Sequence, residues 1–377
     1  MIYKEFQDIR LSALGMGTMR LPVIDGDDSK IDEKAAEKMI DAAVKGGVNY
    51  FDTAWGYHGG NSELVVGKAL EKYPRDSFYL TTKFPGYDVK NFGKTEEIFE
   101  KQLEKCRVDY FDFYLFHNVC EINIDHYLDD EKYGTYSYLT EQKRKGRIKH
   151  LGFSCHGEMP VLKAFLEKYA DDLEFCQIQL NYFDWSFQHA KEKVDLLKEY
   201  GIPVWVMEPM RGSKLAKLDD RYAEKLRKLR PDASPEEWAL RFLQSVPEVK
   251  LVLTGASTLV QLQENIDVFS EDKPLTDEEM DALLGIADEM IASAGVPCTE
   301  CHYCVSHCPQ ELDIPMLLRN YNQFIHTGKD DFISHMQIAT LPKDKRPAAC
   351  IACRSCEQVC PQHIKIPDIL ADFAEKL

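Results

Sequence analysis

Eight of the twelve cysteines in this 377-residue chain fall in its last eighty residues, in two runs of one form. Cys298, Cys301, Cys304 and Cys308 read C-x2-C-x2-C-x3-C before Pro309, and Cys350, Cys353, Cys356 and Cys360 repeat the pattern before Pro361. Three thiolates two residues apart can wrap three corners of a cubane iron–sulfur cluster from one tight loop, while the fourth is carried too far round to close the same cluster. The proline fixes the exit of each loop. Zinc is the plainer alternative. Structural zinc sites take two ligands from each of two C-x2-C knuckles and need neither the third cysteine, the fourth nor the proline. Disulfides are disfavoured further, because cysteines packed this tightly mostly meet geometry that forbids bridging. The spacing favours two [4Fe–4S] clusters.

The doubled run resembles that of the bacterial ferredoxins. This resemblance implies crossed ligation, with Cys298, Cys301, Cys304 and Cys360 holding one cluster and Cys350, Cys353, Cys356 and Cys308 the other. His302, His307 and His363 then read as neighbouring donors or surface residues. The 41 residues between the runs exceed what a compact ferredoxin needs. Ile314–Phe324 and Asp368–Leu377 have helical spacing, so a mostly helical dicluster domain is expected.

Charge and composition narrow the rest. The net charge is −17 (46 basic against 63 acidic residues), which argues against a nucleic-acid partner. The first eight residues contain no apolar signal core, and no run of 18 apolar residues offers a membrane span. Twelve cysteines in such a chain point to a reducing cytoplasm. Cys106, Cys120, Cys155 and Cys176, outside the runs, read as small buried hydrophobes.

Before the first run, short apolar stretches alternate with amphipathic ones. Ala13–Met16, Tyr50–Asp52, Phe78–Lys83, Phe111–Phe116, Ile148–Ser154, Phe175–Leu180, Pro203–Met207 and Leu251–Thr254 read as strands, with helical segments between them. Eight such units in a little under 300 residues predict a (β/α)8 TIM barrel over residues 1–293, then the dicluster domain over 294–377. A doubly wound sheet would want G-x-G-x-x-G after an early strand, and Gly15-Met16-Gly17 lacks the third glycine. The first dozen residues read as a hairpin plugging the barrel bottom. Val119–Thr135 is long for a strand-to-helix connection; its Asp125, His126, Asp129 and Asp130 read as part of a lid or pocket wall rather than a metal site.

Chemistry in such barrels sits at the C-terminal ends of the strands. Those ends carry Asp52 with Tyr57 shortly after, Lys83, His117, Ser154 and Gln177. A tyrosine is a poor acid at neutral pH, and a neighbouring ammonium lowers its pKa if a carboxylate holds that ammonium in place. With a histidine to orient the oxygen, the set can protonate a carbonyl while hydride reaches its carbon. Trp55 and His58 read either as pocket-shaping or as packing residues.

The motifs Phe51-Asp52-Thr53-Ala54-Trp55-Gly56-Tyr57, Thr82-Lys83, Phe116-His117, Gly152-Phe153-Ser154 and Val252-Leu253-Thr254-Gly255-Ala256-Ser257 resemble those of the aldo/keto reductase superfamily. The whole chain resembles its branch with a C-terminal 4Fe–4S dicluster domain. The resemblance implies a nicotinamide cofactor and a catalytic tetrad: Tyr57 the acid, its pKa lowered by Lys83, Asp52 holding Lys83, and His117 orienting the carbonyl. It implies Ser154 and Gln177 on the carboxamide, Gly255, Ala256 and Ser257 under phosphate and ribose, and Glu264 and Asn265 near the adenine. Cys155 stands where the family usually has Asn. Met207 replaces an aromatic ring that stacks on nicotinamide. Gly255 and Gln261 replace Lys and Arg of NADP-preferring members, with Arg211 as a substitute clamp. NADP and NAD both remain open, with a flavin as a minor alternative.

The expected function is therefore NAD(P)-linked hydride transfer to or from a small carbonyl or alcohol. Two clusters would relay electrons to a ferredoxin- or flavodoxin-like carrier. Two alternatives stand beside it: the same reductase with structural or redox-sensing clusters, and an electron carrier with a non-catalytic barrel.

Overall fold

The structure, a computed structural model, describes residues 1–298, 300–328 and 331–377. The chain forms two compact units, Met1–Leu283 and Leu284–Leu377.

The first unit is a closed barrel. A hairpin of β1 (Tyr3–Phe6) and β2 (Ile9–Ser12) precedes β3 (Leu14–Gly17), β4 (Tyr50–Asp52), β5 (Tyr79–Phe84), β6 (Phe111–Val119), β7 (Ile148–Cys155), β8 (Cys176–Gln179), β9 (Val204–Met207) and β10 (Val249–Thr254). The eight strands β3 to β10 pair in parallel and in chain order, and β10 closes onto β3. Helices occupy the crossovers, as parallel pairing requires. Several start where the sequence signals a cap. Ser234 accepts the Glu237 N–H ahead of Pro235, and Thr276 and Glu279 exchange reciprocal bonds as a capping box.

The barrel interior is filled with side chains. Phe113, Phe175, Trp205, Tyr50, Leu115, Leu251 and Leu253 pack with Phe6 and Leu11 of the hairpin into one buried cluster. The Phe6 ring meets Trp205 edge-on at 5.0 Å, which is how the expected plug closes the barrel. β7 can lie close to Phe175 because residue 152 is glycine; a Cβ there would stand 2.5 Å from the Phe175 carbonyl oxygen.

Register decides which residues share the mouth. Asp52 pairs with Thr81, Lys83 with Leu115, Ser154 with Gln177, and Gln179 with Met207. β6 runs three residues beyond the expected Phe116, through an irregularity between Phe116 and Val119. Asn118 turns there at φ 57°. The long connection that follows is not open loop. It folds into two short helices, Ile124–Leu128 and Asp130–Tyr133. Asn123 ties them down by donating to the Gly86 and Asn118 carbonyls, and the Tyr127 hydroxyl donates to the His117 carbonyl at 2.9 Å.

The second unit is helical, with Ile314–Thr327, Phe332–Thr340 and Ile366–Lys376 as its main elements. Its core joins Leu312, Ile314, Leu317, Leu318, Phe324, Ile364, Ile366, Leu370 and Phe373 to Cys304 and Cys356. No helix among the described residues is long and apolar enough to cross a membrane.

Candidate active site and cysteine-lined cavities

The mouth of the barrel is organised around Lys83. Its side chain is fully buried, and Nζ donates to Asp52 Oδ1 at 2.6 Å and to the Thr53 carbonyl at 2.8 Å. The same nitrogen lies 5.2 Å from the centre of the Tyr57 ring. Tyr57 and His117 stand edge to face, centroids 6.1 Å apart, and Tyr87 closes on His117 from another side at 5.3 Å. Asp52, Tyr57, Lys83 and His117 are thus brought together from three consecutive strand ends.

The electrostatics depart from expectation at one point. Burial, then the charges of Asp52, Tyr87 and Glu208, push the Tyr57 phenol well above its ordinary value. The expected lowering by Lys83 does not prevail, because the ammonium is matched by Asp52 at contact distance and removal from water dominates. Tyr57 is therefore a protonated phenol. Burial works against both members of the ion pair, raising Asp52 and lowering Lys83, while their mutual attraction opposes it. Burial and the Lys83 charge hold His117 well below the usual histidine range, so its ring is neutral.

Among the described residues, the buried atoms Asp52 Oδ2, His117 Nδ1, Asn118 Oδ1 and Gln177 Oε1 lack a hydrogen-bond partner. Ser154 Oγ accepts the Asn118 N–H at 2.8 Å. Gln177 Nε2 points to Met207 Sδ at 3.6 Å. Gly255 and Ser257 are exposed after β10 and Ala256 is buried. Gln261 accepts the Ser257 N–H at 3.0 Å, and Asn265 donates to Thr254 Oγ1 at 2.6 Å. Glu264 is exposed on the same helix, Leu259–Val268.

Arg211 is not a free arm over the mouth. It is buried, with Nε on Asp184 at 2.9 Å and its guanidinium over the Phe183 and Phe187 rings. Arg20, which the sequence reading passed over, lies at the cleft instead. Nη2 donates to Glu208 Oε1 at 3.2 Å, and Cδ lies 3.6 Å from where a Cβ on Gly255 would stand. Neither Arg20 nor Asn118 belonged to a motif; Arg20 follows β3 by three residues, and Asn118 lies in the irregular end of β6, two residues past the expected strand end at Phe116. His58 is a packing residue. Its buried Nε2 accepts the Leu21 N–H at 3.1 Å while Nδ1 faces Asp28, tying two mouth loops together.

In the helical unit the cysteines line two cavities. Cys298, Cys301, Cys304 and Cys360 share the first. Cys308, Cys350, Cys353 and Cys356 share the second. Each cavity thus takes three cysteines from one run and the fourth from the other. No three of the described His, Cys, Asp and Glu side chains converge to hold a single ion; the sulfurs surround a space. The repeat also extends beyond the cysteines. Cys308-Pro309-Gln310 leads to Ile314-Pro315 as Cys360-Pro361-Gln362 leads to Ile366-Pro367. Pro315 and Ile366 wall the first cavity, Ile314 and Pro367 the second.

Comparison with known proteins finds relatives of both units. The model of the 4Fe-4S dicluster domain matches residues 297–364. An uncharacterized oxidoreductase of Bacillus subtilis, YqkF, is 28% identical over 306 residues, covering 73% of this chain and 92% of its own. The NADH-specific methylglyoxal reductase of Escherichia coli is 25% identical over 305 residues, covering 69% and 90%. Among solved structures, the holo form of aldo-keto reductase AKR11C1 from Bacillus halodurans superposes with a TM-score of 0.62 at 25% identity, covering 76% of this chain and 96% of that one. The model of the aldo/keto reductase family matches residues 13–288, and with the closed barrel beneath it the chain belongs to the aldo/keto reductase family.

Proposed function

We propose that the barrel transfers hydride between a nicotinamide dinucleotide and a small carbonyl or alcohol, and that two [4Fe–4S] clusters in the cysteine-lined cavities relay electrons for that chemistry. The observation that carries the first half is the placement of the Lys83 ammonium, bonded to Asp52 and 5.2 Å from the Tyr57 ring. In this reading Tyr57 gives its proton to the carbonyl oxygen. Lys83 stabilises the phenolate that remains, Asp52 keeps Lys83 fixed, and neutral His117 orients the oxygen with one hydrogen bond. A bound dinucleotide supplies the hydride.

The residues present fit such a group. The unpartnered acceptors Gln177 Oε1 and Asn118 Oδ1, beside the Ser154 hydroxyl, suit a carboxamide NH2. Met207 borders them. The turn Gly255–Ser257, the start of the helix with Gln261, Glu264 and Asn265, and the Arg20 guanidinium suit phosphates and an adenosine end. Arg211, held by Asp184 and covered by Phe183 and Phe187, is not assigned to this end. NAD and NADP stay equal candidates.

The second half rests on the crossed cysteine sets. A hydride is two electrons and a proton; the two clusters would take one electron each, and the proton would pass to solvent, so the step balances. The partner in this reading is a small ferredoxin- or flavodoxin-like carrier, and the thiolate sites call for a reducing compartment such as the cytoplasm. Iron and sulfide content of anaerobically purified protein, together with turnover of an aldehyde by native protein and Tyr57→Phe, tests the two halves separately.

One observation favours structural clusters as a second reading. Cys304 and Cys356 belong to the core of the helical unit, so clusters there would also organise its fold. Cys353→Ser separates the readings: a structural role predicts an unfolded C-terminal unit with barrel turnover retained.

A further inference from the structure

A second buried lysine–carboxylate pair stands behind the first, and the proposed chemistry makes no use of it. Glu63 on the helix Ser62–Leu70 is fully buried, and Lys105 on the helix Thr95–Cys106 nearly so. Lys105 Nζ donates to Glu63 Oε2 at 2.5 Å. The helices approach this closely because residue 67 is glycine; a Cβ there would stand 2.5 Å from the Cys106 carbonyl oxygen. Burying two charges costs several kcal/mol of desolvation each, and apolar residues of similar volume often do as well. The pair therefore earns attention for what its free edges touch.

Those edges reach the mouth in two directions. Glu63 Oε1 accepts from Thr82 Oγ1 at 2.7 Å and from Gln102 Nε2 at 2.8 Å. Gln102 Nε2 also donates to the Lys83 carbonyl at 2.9 Å, and its Oε1 accepts from the Tyr114 hydroxyl. One carboxylate thus holds the strand end that carries Lys83. In the other direction the Lys105 ammonium lies 4.6 Å from the centre of the Trp55 ring. It is also 3.9 Å from where a Cβ on Gly60 would stand. Trp55 is half-buried, in the turn between Asp52 and Tyr57. A desolvated ammonium against an indole face is attracted by the ring quadrupole and fixes the ring plane.

We propose that Glu63 and Lys105 are positioning residues: Glu63 holds Lys105, and the Lys105 ammonium fixes the Trp55 indole as an aromatic wall for the apolar side of the carbonyl substrate. The substrate half of this inference rests on the hydride reading above; the placement of Trp55 does not. The pair acts on substrate selection through Trp55, so its loss shifts KM for an aryl aldehyde more than for acetaldehyde.

The test uses the full chain with Lys105→Met, Lys105→Arg, Glu63→Gln, the Glu63→Gln/Lys105→Met double variant, and Trp55→Phe alone and with each. The single neutral substitutions strand a buried partner and are expected to destabilise; the double variant removes both charges, and Lys105→Arg keeps the cation. Acrylamide quenching, with Trp55→Phe subtracting the other three tryptophans, is expected to find Trp55 about twofold more accessible in the double variant and unchanged in Lys105→Arg. KM for 4-nitrobenzaldehyde is expected to rise about three- to tenfold in the double variant, with kcat within about twofold and no further rise when Trp55→Phe is added. Unchanged quenching and KM in a folded double variant overturn the proposal. So do effects of the double variant and Trp55→Phe that multiply independently. If native protein reduces no aldehyde, the hydride reading fails while the quenching result still decides whether Lys105 places Trp55.

Discussion

Lys83 Nζ and Asp52 Oδ1 are 2.6 Å apart, the lysine fully and the aspartate almost fully shielded from water. Removing either partner leaves the other as an uncompensated buried charge, which costs about 3–5 kcal/mol. Lys83→Met and Asp52→Asn are each expected to lose that much in urea unfolding of the barrel. The double variant should lose clearly less than the sum, since neither charge is then stranded. A strictly additive result would contradict the ion pair.

Tyr57 is the only member of the tetrad expected to give up a proton in the reaction. Tyr57→Phe keeps the ring against His117 and removes the hydroxyl. Carbonyl reduction should fall by about 10²- to 10⁴-fold, while dinucleotide binding, followed by quenching of protein fluorescence, stays within about twofold. Equal loss of binding would move Tyr57 from acid to cofactor contact.

Acid stability follows from His117. Its folded-state pKa lies well below the ordinary 6.5, so below that pH the unfolded chain binds a proton that the folded chain does not. The associated stability is present above about pH 6.5 and is lost as pH falls. His156, lowered to about 4 by burial and then by Lys193, acts in the same direction. The unfolding midpoint should therefore fall between pH 7 and 5, and His117→Gln should flatten that fall. A midpoint that rises on acidification would contradict burial of neutral imidazoles.

Crossed ligation gives a pattern of cluster loss. Cys298→Ser and Cys360→Ser should remove the same cluster, and the double variant should lose no more iron than either single. Cys298→Ser with Cys308→Ser should lose both. The iron count per chain and the EPR spin count after dithionite distinguish crossed from uncrossed ligation.

Much of this architecture was legible because its signals are local. Eight short apolar runs with helical segments between them require parallel pairing, and each strand end names its own residue: Asp52, Lys83, His117. Cys spacing is likewise a local constraint, and the cavity linings follow it. What was not legible depends on packing between distant segments. Arg211 reads as a free cation in the sequence, yet Asp184, 27 positions earlier, takes it into the interior. The rise in the Tyr57 pKa comes from burial, which no neighbouring residue announces. Glu63 and Lys105 lie 42 positions apart and belong to no motif; they meet because Gly67 lets their helices close. The extended repeat around Ile314-Pro315 and Ile366-Pro367 was legible in principle, since it lies six residues beyond each terminal cysteine.

The most direct test of the whole account is an anaerobic titration of the native chain with NADH and with NADPH, followed by visible absorbance and EPR. Coupled chemistry predicts that one dinucleotide bleaches the cluster absorbance by two electrons, one per cluster, with reduced-cluster EPR signals reversed by adding an aldehyde. Clusters that dithionite reduces, but that no dinucleotide, aldehyde or alcohol changes, would contradict the electron relay and leave the barrel and the clusters as separate functions in one chain.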